Sequence, residues 1–263
     1  MPPAIPSERV NSPRPGKPGG ASSSRVSLRR LRSAFSLYKA ILVDAESRRL
    51  KDELKWLTGV LGTARNIDVL IARAGSSDIR GRLLEARDSA YDDVLNAIYS
   101  SRAKALMLDV NEWLRCGEYL TLSETTEIRN GPVVDFAIET LDRHRKKLKK
   151  RGKSLVEADD EHRHEARKAA KKLRYACEFL ISLFTGKQAE RRYAKFIKSM
   201  EELQDELGLL NDMATAPTVV HELELDSHPD AESLVAVGNR EKLLSAAQSS
   251  LDDLMERKRF WRG

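Results

Sequence analysis

One run constrains this chain more than any other: Glu161-His162-Arg163-His164-Glu165-Ala166-Arg167-Lys168-Ala169-Ala170-Lys171-Lys172-Leu173-Arg174-Tyr175. At about 100° per residue, His164, Arg167, Lys171 and Arg174 fall within about 80° of one another on a helix. Ala166, Ala170, Leu173, Cys177, Leu180 and Phe184 make a separate stripe about 120° away, fit for a core. The cationic ladder is roughly 15 Å long and repels itself unless something anionic lies along it.

The rest of the chain is predicted to supply helices for that one to pack on. Arg25, Arg29 and Arg32 share one helical face, and Leu28, Leu31, Phe35, Tyr38 and Leu42 share another, with Ser22 to Ser24 as N-caps. A second helix is expected from Asp44–Glu46 to Leu61, carrying Leu50, Leu54, Leu57 and Leu61 and ending at Gly62. A third follows and breaks at Gly75-Ser76-Ser77. A long helix is expected over 78–117, kinked if anywhere within it. A polar linker follows at Thr121–Pro132, then helices over 133–151 and 161–184, the latter closed by Gly186. Glu190–Leu207 is expected to end at Gly208, with a shorter helix over 209–220 and a terminal one over 230–260. No stretch shows convincing period-two alternation, so the fold class is all-α.

Residues 1–24 are rich in Pro, Gly and Ser and read as a disordered tail before a helical domain over 25–263. Apolar residues are 41% and charged residues 33%, and no apolar run is long enough for a bilayer, which predicts a soluble protein with no membrane partner. Cys116 and Cys177 have no spacing suited to zinc or a disulfide framework, which fits a reducing cytoplasm. The net charge of +6 hides a segregation: 201–233 holds ten Asp or Glu and no Lys or Arg, while cations gather at 25–32, 141–153 and 162–174. Such a field attracts a counter-charged partner.

The order of parts also repeats. Arg25-Val26-Ser27-Leu28-Arg29-Arg30-Leu31-Arg32 matches Arg167-Lys168-Ala169-Ala170-Lys171-Lys172-Leu173-Arg174 in charge or leucine at five of eight positions. Leu61-Gly62 with Arg65-Asn66 parallels Leu207-Gly208 with Asn211-Asp212. Two helical halves, about 25–122 and 130–263, each contributing a cationic helix to a shared centre, follow from this.

Phosphate is the ligand these side chains suit. Arg offers a planar fork of donors, Lys a mobile point charge, and a row repeating every three or four residues matches a linear polymer. For 143–151 a solvated face is an equal alternative. A metal site at His162-x-His164 is disfavoured, since i and i+2 point about 200° apart on a helix. No metal or other cofactor is implied. Nucleic acid is the rival partner, yet neither 25–32 nor 162–174 contains an aromatic residue, Asn or Gln for reading or stacking on bases. A metal-dependent polyphosphate or triphosphate phosphatase is the weaker alternative, without a nucleophile–base pair to support it.

The row His164-x-x-Arg167-x-x-x-Lys171-x-x-Arg174-Tyr175 followed by Glu178 resembles the hallmark of the CHAD domain, the conserved-histidine α-helical domain. Leu54-Lys55-Trp56-Leu57, Leu61-Gly62-x-x-Arg65-x-x-Asp68-Val69 and Gln204-x-x-Leu207-Gly208-x-x-Asn211-Asp212 are similar to its other signatures. The resemblance covers roughly 25–260 and implies two four-helix halves around a central basic pore. It also implies non-catalytic binding of long-chain inorganic polyphosphate and association with polyphosphate granules. Arg25, Arg29, Arg32, Arg65, His164, Arg167, Lys171 and Arg174 are then expected to line the channel, with Lys55, Lys195 and Lys198 as further candidates. Two positions depart from the family pattern: Ser22 stands where a histidine is expected, and Asn66 where an aspartate is expected.

Overall fold

The computed structural model describes residues 18–236 and 238–262, with side chains from Ser24 onward. The expected tail, 1–24, lies largely outside them. Helix α1 (Pro18–Leu37) leads into α2 (Ala45–Arg73), α3 (Ser77–Tyr99) and α4 (Ser101–Cys116). A 3-10 turn (Glu118–Leu120) precedes the predicted linker, which itself holds a second one (Ser123–Thr125) and a short α5 (Thr126–Asn130). The second stretch holds α6 (Val133–Arg151), α7 (Asp160–Leu180), α8 (Lys187–Glu222), a short α9 (Ala231–Val235) and α10 (Arg240–Glu256). No strand occurs among the described residues, and no helix is long and apolar enough to cross a membrane.

Several boundaries differ from expectation for identifiable reasons. Because α1 starts at Pro18, Ser22 to Ser24 sit within the helix instead of capping it. Gly62 and Gly208 do not end helices; each lies inside one, α2 and α8, with open space where a Cβ would be. A mid-helix glycine costs about 1 kcal/mol, whereas continuing α2 past Gly62 buries Ala64, Ile67 and Leu70, a larger gain. The long helix expected over 78–117 breaks at Ser100, whose hydroxyl accepts from Ala103 N and starts α4. The helix expected over 161–184 stops at Leu180 and a 3-10 turn (Ile181–Leu183) follows it. Gly186 therefore does not close that helix but stands just before α8, at a φ of 107° that other residues rarely adopt. The terminal helix ends at Glu256, and the chain beyond it folds back to bury Phe260 and Trp261.

The apolar side chains form two clusters. One is built from Phe35, the inward faces of α2, α3 and α4, and the last turns of α8 with Leu225, Ala231 and Leu234. The other takes Leu37, α6, α7, the middle of α8 and α10, closed by Phe260 and Trp261. Each has an aspartate holding an indole. Asp44 caps α2 through Ser47 N (2.5 Å) and accepts from Trp113 Nε1 (3.2 Å), while Asp142 accepts from Trp261 Nε1 (2.9 Å). The predicted stripe of α7 is the centre of the second cluster: Ala166, Ala170, Leu173, Cys177 and Leu180 are all buried. With that face committed, the orientation of the cations on α7 is settled too.

Candidate functional site

Helix α7 begins at Asp159, whose carboxylate accepts from His162 N at 2.8 Å. It runs antiparallel to α6 on one flank, where Arg151 meets Glu165, and antiparallel to α8 on the other, where Arg174 meets Glu201 and His164 meets Asn211. Helix α1 packs against α7 as well, and the two run in the same direction. Arg30 fixes this pairing. Its guanidinium bonds Glu178 and lies 5.3 Å from the Phe179 ring centroid and 6.0 Å from that of Tyr175. Arg30 lies about 100° or more around α1 from Arg25 and Arg29, so anchoring it turns those two into the space beside Arg167 and Lys171.

Five cations from three helices meet there: Arg25 and Arg29 of α1, Arg65 of α2, and Arg167 and Lys171 of α7. Asp212 of α8 is the carboxylate whose field opposes theirs. Burial lowers the proton affinity of Arg25, and Arg29, Arg65 and Arg167 add to the effect. Burial likewise lowers that of Arg167, against the pull of Asp212. Lys171 responds most: burial first, then Arg167, Arg29 and Arg25, bring its ammonium down to about 7. The Nε of Arg167 is buried without a hydrogen-bond partner. A buried donor in such a state is costly unless a ligand oxygen reaches it.

The other predicted residues take different places. Arg32 is half-buried beyond Arg29, which with burial lowers its proton affinity. His164 donates from Nδ1 to Asn211 Oδ1 (2.8 Å) at the edge of a cavity of about 240 Å³ between α7 and α8. Arg174 is compensated: it donates to Glu178 (2.9 Å), Glu201 (3.0 Å) and Gln204 (3.3 Å), closing the row instead of offering open donors. Lys55 is exposed on α2, about 15 Å along the helix from Arg65. Lys195 and Lys198 are exposed on α8, about 25 and 21 Å along it from Asp212, so the structure does not bring these three lysines into the cluster. His162 bonds Asp159 while His164 bonds Asn211, and the two imidazoles diverge as the helical spacing requires. Arg163 is structural: it is buried and donates to Leu155 O (3.0 Å) and Asp160 (2.8 Å).

Two contributors were not singled out by charge pattern. Asp212 lies in the acidic stretch, and only the antiparallel pairing of α7 with α8 carries it to the cations. Arg30 belongs to the first basic run but sits off its cationic face, the signal that it serves packing. Of the 141–153 cations, Arg143, Lys146, Lys147, Lys150, Arg151 and Lys153 line a different cleft, on the α6 flank of α7, while Arg145 donates to Met255 O.

A family model described as CHAD domain matches residues 14–221. Among solved structures, the crystal structure of the CHAD domain from the plant Ricinus communis is similar, with a TM-score of 0.71 and 27% sequence identity. The similarity spans 92% of this chain and 83% of that one. A comparison with curated proteins returns no match.

Proposed function

This chain belongs to the CHAD domain family, and on that premise we propose that it binds long-chain inorganic polyphosphate in a basic channel between α1 and α7, without turnover. The observation that carries this reading is the gathering of Arg25, Arg29, Arg65, Arg167 and Lys171 around a single opposing carboxylate, Asp212. Their mutual repulsion is relieved when phosphates occupy the space between them. Arginine forks bind non-bridging oxygens in pairs, and Lys171 supplies a point charge that regains its proton as anions approach.

The matching runs of 25–32 and 167–174 support α1 and α7 as counterparts in two halves, each giving one wall of the channel. Binding is favoured over hydrolysis because metal-assisted attack on a phosphoanhydride needs several carboxylates beside the cations, and this cluster has one. Polyphosphate is favoured over nucleic acid because the five donors address phosphate and no aromatic side chain belongs to the cluster. A location at polyphosphate granules within the cytoplasm follows from the same reading.

The test is direct titration of long-chain polyphosphate, by calorimetry, against the wild type and R167E/K171E. The double substitution is expected to weaken binding at least tenfold with little change in helicity by circular dichroism. Unchanged affinity would remove the channel from consideration. In competition, polyphosphate is expected to displace a labelled single-stranded RNA. Orthophosphate release with magnesium or manganese would instead favour the phosphatase reading.

A further inference from the structure

Positive charge covers more of α7 than the row facing α1 uses. From Arg167 and Lys171 on the α8 side, Lys168 and then Lys172 continue round the helix in steps of about 40–60°, an arc of about 140° in all. Lys168 is exposed and Lys172 half-buried, so the arc stays at the surface. Where it ends, the C-terminal half of α6 and the 152–159 loop enclose a cleft of about 1020 Å³ with the start of α7.

The cleft is poorly neutralised on its α6 wall. Glu165 takes Arg151 and Lys168. Among the described residues, no acidic side chain lies within ion-pair distance of Lys146, Lys147 or Lys150, and Arg143 donates to the hydroxyl of Thr140. Glu157, Asp159 and Glu161 stand on the facing wall. A solvated charge run would fan its cations away from one another, but here two helices turn them together. Burial lowers the proton affinity of Lys172, and Lys147 of α6 lowers it further. Beneath them His144 is held to about 4 by burial and then by Arg143, Lys172, Lys147 and Lys39. Lys39 follows the end of α1, so the positive field also reaches this cleft from that side.

We propose that this α6–α7 cleft is a second seat for the same polyphosphate chain, reached from the α1–α7 site across Lys168 and Lys172. Long chains engage both seats, and short ones fill only the first. The inference rests on the polyphosphate reading above, and its ligand class is a linear polymer of phosphates. Linking two seats by one polymer raises affinity without a new kind of contact, because the second engagement is intramolecular.

The experiment compares a short chain, tripolyphosphate, with a chain of about one hundred phosphates on the full-length protein, the effect of joined seats growing with reach. In K146E/K147E/K150E, affinity for the short chain is expected to stay within twofold of wild type. Affinity for the long chain is expected to fall at least tenfold, with a shallower salt dependence. K146Q/K147Q/K150Q should fall between, and a control of three other exposed lysines, K187E/K242E/K258E, should leave both affinities within twofold. Unchanged long-chain affinity in the triple variant overturns the proposal. So does equal loss for both chain lengths, which would report only the altered net charge. A loss confined to single-stranded RNA would give the cleft to nucleic acid and also overturn it. Wild type that binds neither chain length defeats the primary reading, a result distinct from all of these.

Discussion

Lys171 is the side chain through which ligand and pH should be coupled. Burial among three arginines brings it to about 7, and an anion laid beside it raises that value again. Binding therefore takes up a proton wherever the unliganded amine is neutral. For a long chain, whose interior phosphates stay ionised, affinity should be full below about pH 7 and fall about tenfold between pH 6.5 and 8. K171R, which keeps its charge throughout, should flatten that profile. Isothermal titration at the two pH values checks both. The unliganded fold has the complementary dependence. Its lysine binds fewer protons than the unfolded chain between about 7 and the ordinary value of 10.5, so its stabilising effect is present above that window and lost as pH falls through about 7. At this scale Arg167 and Lys171 were legible from helical spacing alone. The engagement of Arg174 was not, because its partners Glu201 and Gln204 lie 27 and 30 residues further along the chain. A wheel drawn for one helix shows which way a cation points and not which acid waits there.

Between single residues and the whole fold stand the helices, and their existence was easier to read than their ends. The apolar stripes of α2 and α7 were visible as 3.6-residue periods. Leu50, Leu54, Leu57 and Leu61 of the one and Ala166, Ala170, Leu173, Cys177 and Leu180 of the other are buried where expected. Glycines misled at Gly62 and Gly208 because a stop signal is a modest local preference, whereas the apolar period on either side answers to a core assembled from distant segments. Asp44 illustrates the same dependence on context. Its position before α2 marks a cap, but its second role, accepting from Trp113 of α4, needed the tertiary pairing. D44A removes the cap and leaves a buried indole N–H without its acceptor. It should destabilise the protein by about 2 kcal/mol, measured by urea denaturation. Polyphosphate affinity measured at a temperature where the variant stays folded should be unaffected, since Asp44 lies outside the cationic cluster.

At the level of the molecule, charge and apolar surface are partitioned separately. The acids of 201–233 lie on α8 and the segment after it, while the cations collect on α1, α6 and α7. That polarity was plain in the sequence, and so was the all-α class. What could not be read was that α8 would run unbroken for 36 residues and enter both apolar clusters, past Pro217, which removes one backbone hydrogen bond without ending the helix. Phe196, Met200, Leu203 and Leu207 belong to one cluster, and Ala216, Val219 and Val220 to the other. A single beam mortised into two rooms makes each wall depend on the other. Scanning calorimetry of the unliganded protein should accordingly show one melting step, with calorimetric and van't Hoff enthalpies in agreement. Two separable steps would mean the beam yields at Pro217 before either room collapses.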